Sequence, residues 1–329
     1  MRLAVVVGTT ETAAIPGLSA AGADPEAMAA TPAIDAELLT YGAALSGPVP
    51  VSPTGCPTPA LVTRAARSVA GFETLVVDAG TAVGSAAPTV DLGGSPGADI
   101  RTADPVPDAA AVFEAAADLG RSLPDDPLAI GESIPGGTTT ALGVLRALGE
   151  DIGVSSSLPD NPVERKEQVV AEGLAESAIE AGDCEGDPLR AIAAMGGPVQ
   201  AGVAGLASGA LDAGTDVVLA GGTQQLAVAT ALRHAGVTDP LTVATTRYVA
   251  ADDAVDLESA DRLDVTLRVT DPGFDSHDHP SMAPFAAGEA KEGVGMGGAL
   301  ATVEDADAGM DALRSTLESI YEEVVGDGP

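Results

Sequence analysis

Leu128-Ala129-Ile130-Gly131-Glu132-Ser133-Ile134-Pro135-Gly136-Gly137-Thr138-Thr139-Thr140 is the stretch on which the fold turns. Its apolar opening, residues 128–130, reads as a buried strand, and residues 141–148 behind the loop read as a helix. Strand, glycine-threonine loop and helix together gather backbone N–H groups and hydroxyls at the positive end of a helix dipole, a seat suited to phosphate. No lysine follows the glycines, which excludes a nucleotide P-loop. A tight turn with Thr138 as helix N-cap would use the same residues.

Outward from this loop, residues 3–7, 74–78, 216–220, 241–244 and 265–269 read as further strands. Between them, helices are expected over 60–70 (Thr58 as N-cap and Pro59 in the first turn), 109–122, 163–181, 189–213 with a break at Gly196-Gly197-Pro198, and 224–235. Met310, Leu313, Leu317, Ile320 and Val324 repeat every three to four residues, as in an amphipathic C-terminal helix. Residues 15–58 are rich in Pro, Gly and small side chains, and only 34–45 has an amphipathic pattern; residues 84–108 read as loop. Strands alternating with helices predict an α/β, Rossmann-like, mostly parallel sheet flanked by helices, with a small helical subdomain. Loops at the carboxyl ends of such strands gather on one edge, where ligands bind. Gly8-Thr9-Thr10, Gly136-Gly137-Thr138 and Gly221-Gly222-Thr223 are all expected there, as is Asp78, either as a ribose-hydroxyl acceptor or as a helix-cap acid.

Composition narrows the setting. The chain has 329 residues, 45% of them hydrophobic, and a net charge of −34. Its positive mean hydropathy of +0.23 argues against disorder despite that charge. Lys166 and Lys291 are the only lysines, and the acids are spread along the chain. This suits a halophilic cytosol, where salt screens self-repulsion; an acidic partner-binding surface is the alternative. Binding to nucleic acid or to anionic membranes is disfavoured. Cys56 and Cys184 suggest neither a disulfide framework nor a zinc site, and no apolar run approaches the roughly 18 residues of a membrane span. His277-Asp278-His279 reads as a polar loop, Asp252-Asp253 as surface charge, and Arg64 and Arg247 as solvated.

The second conspicuous stretch is Gly288-Glu289-Ala290-Lys291-Glu292-Gly293-Val294-Gly295-Met296-Gly297-Gly298. Its glycines allow a close backbone approach, with Glu292 placed as a base and Lys291 as a partner for an anion or carboxylate. A solvated Lys-Glu pair before a flexible loop is the plainer reading.

With these motifs in place, the chain resembles the nicotinate-nucleotide–dimethylbenzimidazole phosphoribosyltransferases. Gly131-Glu132 with Thr138-Thr139 is similar to that family's Gly-Glu-Met-Gly-Ile-Gly-Asn-Thr-Thr loop, and Glu292-Gly293-Val294-Gly295 to its Gly-Glu-Gly-Thr-Gly-Ala segment. Over nearly the whole chain it resembles an archaeal branch named for its likeness to that enzyme, through Gly-Glu-Ser-Ile-Pro-Gly-Gly-Thr-Thr-Thr-Ala, Ala-Gly-Gly-Thr-Gln and Lys-Glu-Gly-Val-Gly at 131–141, 220–224 and 291–295. The resemblance implies transfer of the ribose phosphate of nicotinate mononucleotide to a benzimidazole-type base, forming α-ribazole phosphate for the lower ligand of cobamides. It places the base on Glu292, a secondary carboxylate on Glu132, and the substrate on Gly131, Gly136, Gly137, Thr138, Thr139, Asp78, Gly221, Gly222, Thr223, Lys291, Gly293 and Gly295. Residues 1–300 would then be an α/β phosphoribosyltransferase-like nucleotide-binding domain, with the helix of 301–329 packed on it. No cofactor or metal is expected; the expected partners are small-molecule substrates and further copies of the chain, in a homodimer or larger homo-oligomer. Ser133-Ile134-Pro135 replaces the family's Met-Gly-Ile and Gly137 its Asn, and Pro135 removes one N–H from any phosphate cradle. A purine or another azole would serve as the acceptor base equally well. A non-catalytic nucleotide-binding or sensing protein on the same fold is the alternative reading.

Overall fold

The computed structural model describes residues 1–22, 24–124, 127–256, 258–306 and 309–326. Seven parallel strands make one sheet: β1 (Arg2–Val7), β2 (Glu73–Asp78), β3 (Val90–Asp91), β4 (Leu128–Ser133), β5 (Val217–Ala220), β6 (Leu241–Thr246) and β7 (Val265–Thr270). Around it lie α1 (Pro25–Tyr41), α2 (Ala60–Ala70), α3 (Ala109–Ser122), α4 (Gly137–Leu148), α5 (Val163–Glu176), α6 (Pro188–Met195), α7 (Pro198–Asp212) and α8 (Thr223–His234). The short helices α9 (Arg247–Ala250), α10 (Glu258–Arg262) and α11 (Ala283–Ala286) precede α12 (Met296–Asp305) and α13 (Met310–Val324).

The strand order is β3-β2-β1-β4-β5-β6-β7. The chain winds outward in one direction from β1 to β3 and in the other from β4 to β7, so the order reverses between β1 and β4. Connections leave those two strands on either side of a crevice at their carboxyl ends, the usual ligand position in such a sheet. In register, Val7 lies opposite Ser133 and Val6 opposite Glu132.

Alternation along the strands separates two cores. Ala4, Val6, Val77, Leu128, Ile130, Val217, Leu219 and Val243 pack under α3 to α8. Leu3, Val5, Val7, Val76, Ala129 and Ala220 pack under α1, α2, α12 and α13. With both faces covered, the strands carry the near-continuous Val, Leu, Ile and Ala runs expected of a buried parallel sheet.

Three local departures from the sequence reading shape the crevice. β4 extends through Ser133, so Gly131 and Glu132 are strand rather than loop. A Cβ on Gly131 would lie 2.5 Å from the Cα of Gly295, so bare backbone is required where the 292–295 segment crosses the strand. Residues 296–298, which read as the end of a glycine loop, open α12 instead. Its glycines serve close packing: a Cβ on Gly297 would stand 2.3 Å from the Ala244 carbonyl, and one on Gly298 2.5 Å from the Ala220 Cβ. Finally, the 15–58 region holds α1, whose Asp24 side chain caps the Ala27 N–H and whose Pro32 lies inside the helix. Asp35 and Glu37 are buried on it.

Candidate active site

A cleft of about 140 Å³ opens at the carboxyl end of β4, beside the loop that leaves β5. On one side it is lined by the N-termini of α4 (Gly136, Gly137, Thr138) and α8 (Gly222, Thr223, Gln224). On the other it meets α1 through Thr31 and Asp35, and the loop of residues 50–59. Its walls are closed by Ser155, Ser156 and Ser157 and by residues 289–294.

The two conspicuous stretches of the sequence join here. The Glu132 carbonyl accepts the Val294 N–H at 2.8 Å, fixing the second segment against the strand end. Thr246 Oγ1 donates to the Lys291 carbonyl at 2.6 Å and Thr63 Oγ1 to the Val294 carbonyl at 3.0 Å. The segment is conformationally demanding: Ala290, Gly293, Val294 and Gly295 have φ of 42°, 148°, 53° and 71°. For β-branched Val294 that is a costly backbone state, held only because its surroundings over-determine it.

Three carboxylates meet around the cleft. Glu292 Oε1 accepts the Gly297 N–H at 2.8 Å, at the N-terminus of α12. Its Oε2 is buried and has no hydrogen-bond partner among the described residues. Burial pushes the Glu292 carboxyl up to about 8, against the pull of N–H groups from Gly297 and Gly293. Glu132, on the next wall, is driven well above the usual carboxylate range, first by burial and then by the charges of Glu292 and Asp35, with a hydrogen bond from Gln224 opposing. Asp35 comes from α1. Ser133 Oγ donates to its Oδ2 and Thr58 Oγ1 to its Oδ1, both at 2.6 Å, and burial nevertheless raises it to about 6. Because Glu132 and Ser133 are neighbours in a strand, they face opposite sides of the sheet, and the cleft straddles its edge.

The two lysines work side by side. Lys291 Nζ donates to the Ser156 and Leu158 carbonyls at 3.0 and 3.1 Å and stands 3.4 Å from the Asp252 carboxylate. Lys166 is fully buried, with Nζ donating to the Ser155 carbonyl and to Asn161 Oδ1. Burial lowers it to about 7, although Asp252 acts the other way. Asp252 also accepts from Ser155 Oγ at 2.9 Å, and Thr223 Oγ1 accepts the Ser155 N–H at 3.1 Å. Asp252, read from sequence as surface charge, is therefore one half of a buried ion pair, with 8% of its side chain exposed. The serine loop is pinned from behind by both lysines of the chain.

Of the residues singled out from sequence, Glu132, Gly136, Gly137, Thr138, Gly222, Thr223, Lys291, Glu292 and Gly293 line the cleft. Gly131, Gly221 and Gly295 do not; they support it from beneath. Thr139 is fully buried, and its hydroxyl has no partner among the described residues. Asp78 is not at the cleft: its carboxylate takes the N–H groups of Gly80 and Thr81 and the Thr81 hydroxyl, holding its own turn. The Gly8-Thr9-Thr10 loop also stands apart, with Thr9 Oγ1 accepting from the Ala82 N–H and Thr10 Oγ1 donating to the Ala98 carbonyl. Two threonine loops, not three, form the cleft. Arg64 donates to the Leu39 carbonyl, and Arg247 pairs with Asp271 and Asp275. Sequence reasoning did not assign Asp35, Thr58, Ser155 to Ser157 or Gln224 to the site; the polar Ser155-Ser156-Ser157 run, Thr58 at a helix start and Gln224 at the end of the Ala-Gly-Gly-Thr-Gln motif were the visible signals.

A phosphoribosyltransferase family model matches residues 60–251, more than half of the chain. The chain belongs to the phosphoribosyltransferase family. Within it, the chain is 58% identical to a UPF0284 protein of Halobacterium salinarum, covering 98% of this chain and 97% of that one. It is 42% identical to a UPF0284 protein of Methanosarcina mazei, covering 96% and 92%. Two solved structures from Thermus thermophilus share the fold. One is nicotinate-nucleotide-dimethylbenzimidazole phosphoribosyltransferase, with a TM-score of 0.61 at 19% identity over 100% of this chain and 86% of the other. The second, CobT, has a TM-score of 0.62 at 20% identity over 99% and 86%. At such identities the likeness speaks for the fold of this phosphoribosyltransferase-family chain, and the chemistry is argued from its own cleft.

Proposed function

We propose that the protein transfers the ribose phosphate of nicotinate mononucleotide to a benzimidazole-type base, yielding α-ribazole phosphate and nicotinate. The observation that carries this reading is the Glu292 carboxylate, with one oxygen fixed by a helix N-terminus and the other buried without a donor, beside a cleft that two further helix N-termini enter.

In this reading the 5′-phosphate lies against the α4 N-terminus, where helix-end N–H groups and Thr138 favour an anion. A ring nitrogen of the incoming base forms the bond to C1′ as the bond from C1′ to the nicotinate nitrogen breaks. The electron pair of that bond returns to the pyridine nitrogen, and the proton of the azole passes to Glu292. A positioned base typically contributes about 10²–10⁴-fold. Positive charge grows on the sugar in an oxocarbenium-like transition state, which the ionised forms of Glu132 and Glu292 stabilise electrostatically. The serine loop held by Lys166 and Lys291 gives the cleft a rigid wall, so the reactants meet in one geometry.

The test is release of nicotinate from nicotinate mononucleotide with a panel of benzimidazoles and purines, in concentrated salt. Release that vanishes in Glu292→Ala supports the reading. Tight mononucleotide binding with no release for any base would leave a binding or sensing protein instead. The phosphate seat has its own check. Thr138→Val should weaken mononucleotide affinity about 10- to 150-fold while leaving the nucleoside little changed, as expected for loss of a hydrogen bond to a charged group. Thr139→Val, remote from the cleft surface, should change neither affinity.

A further inference from the structure

Glu132, at the end of β4, is 9% exposed and stands among acids. Besides burial, the charges that act on it are those of Glu292, just before α12, and Asp35 on α1. Lys291 and Glu289 line the same cleft but are bonded elsewhere, Lys291 to the serine loop and Asp252, Glu289 to Ser52 and Thr54. Among the described residues, the donor to the Glu132 carboxylate is the side-chain amide of Gln224, the second residue of α8.

Gln224 is 5% exposed, and at its other end it is seated by shape. Its Oε1 is buried and has no donor among the described residues. That oxygen rests on Gly137, the first residue of α4: a Cβ there would lie 2.2 Å from Oε1 and 2.9 Å from the carboxamide carbon. Gly137 has no positive φ, so its backbone would accept other residues; the room taken by Gln224 is what demands glycine. The direction of the amide follows from its two neighbours. With Nε2 on Glu132, the carboxylate gains a donor and Oε1 lies against a Cα. The flipped amide would set oxygen against an anionic oxygen and turn its N–H groups toward a carbon. The geometry suits the ionised carboxylate.

We infer that Gln224 is a positioning residue of the site: seated on Gly137, its amide holds Glu132 in the charged form at the cleft wall, and residue 137 is glycine to leave it room. The consequence rests on the proposed transfer, in which charged Glu132 stabilises an oxocarbenium-like sugar; the hold on Glu132 is measurable without turnover. Gln224 acts through Glu132 and touches no reacting atom.

The experiment titrates Glu132 in the full-length protein by infrared difference spectroscopy. Its protonated-carboxyl band, assigned by its loss in Glu132→Gln, separates it from the coupled titration of Glu292 and Asp35. In Gln224→Met, which keeps the length and removes the donor, the midpoint should rise by about one to two pH units, the worth of a hydrogen bond to a charged group. Gly137→Ala, which takes the room and leaves both partners, should raise it too, and the two changes together should do no more than Gln224→Met alone. An unchanged midpoint in Gln224→Met overturns the inference, and so does full additivity of the two changes. Should Gln224→Met not fold, Gln224→Asn, whose amide is one methylene short of Glu132, takes its place with the same expectation. In nicotinate release, Gln224→Met should lower kcat about 10- to 100-fold near neutral pH with little change in KM for the mononucleotide, and the loss should shrink as alkali ionises Glu132 unaided. A loss of equal size at every pH would make Gln224 a packing residue and overturn the positioning. If no base releases nicotinate, the transfer reading fails, and the infrared titration still decides the role of Gln224.

Discussion

Replacing Glu292 by Gln should make the protein more stable at alkaline pH while abolishing turnover. The Glu292 carboxyl is displaced from 4.5 to about 8, chiefly by burial. The folded state therefore holds a proton between those values that the unfolded chain has released. Stability depends on pH through the difference in protons bound by the two states, so here it falls as pH rises from about 4.5 and levels off above about 8. At about 1.4 kcal/mol per pH unit, the displacement corresponds to on the order of 5 kcal/mol, an upper bound because Glu132 and Asp35 share the field. The Gln variant keeps an acceptor for the Gly297 N–H, carries no charge, and lacks this loss. Urea unfolding of both proteins should be followed at pH 5 and pH 9 at one high salt concentration, so that the repulsion among the other acids is common to both. At pH 5 the two midpoints should nearly coincide; at pH 9 the variant should be ahead by a few kcal/mol. Parallel pH profiles for the two proteins would refute the placement of Glu292 as a destabilised buried acid.

Two further outcomes follow from the packing around that carboxyl. Lys291→Met leaves Asp252 buried without its ion-pair partner, which should cost about 3–5 kcal/mol, whereas Lys291→Met with Asp252→Leu should recover most of that stability yet still be impaired in nicotinate release, because the Ser156 and Leu158 carbonyls lose their tie to Lys291; unfolding midpoints beside activity check both arms. Gly297→Ala drives a Cβ to 2.3 Å from the Ala244 carbonyl and should destabilise by about 1–3 kcal/mol or more, read as a lowered unfolding midpoint.

The sheet was largely legible because a parallel strand covered on both faces has to be apolar throughout. β1, β2, β4, β5 and β6 announce themselves by such runs, β7 at the sheet edge by alternation, and α3 is found at the expected residues 109–122. β3 did not, since Val90–Asp91 is two residues inside a Pro/Gly-rich connection and is a strand only by pairing with Val77 and Asp78. α1 was obscured for a different reason. It is buried nearly all round and sinks two carboxylates, Asp35 among Ser133 and Thr58, and Glu37 on the N–H groups of Leu45, Ser46 and Ala86. Local periodicity cannot express a polar residue whose partners lie 98 positions away. α12 was hidden by Gly297 and Gly298, glycines that local propensity reads as loop and that close packing on β5 and β6 requires. In the cleft, Glu132 and Glu292 were visible as acids beside glycines. The Gly8-Thr9-Thr10 loop carried the same letters and occupies the same sheet edge, yet its hydroxyls are spent on the backbone of other loops, at Ala82 and Ala98. A motif identifies a backbone shape; its use depends on what else arrives.

The lysines make the same point from the other direction. The chain carries 49 acids and 15 bases, and of those bases only two are lysines. The two that remain are buried, and each supplies several donors on a long flexible stem to carbonyls at differing angles. Arginine, with its planar fork, would not fit these point contacts as well. The partners of Lys166 and Lys291 are backbone oxygens of one loop, Ser155 to Leu158, the Asn161 side chain and one buried acid, Asp252. The loop they hold is a wall of the cleft. In a chain this acidic, the rarity of a residue type marks the place where its chemistry has no substitute.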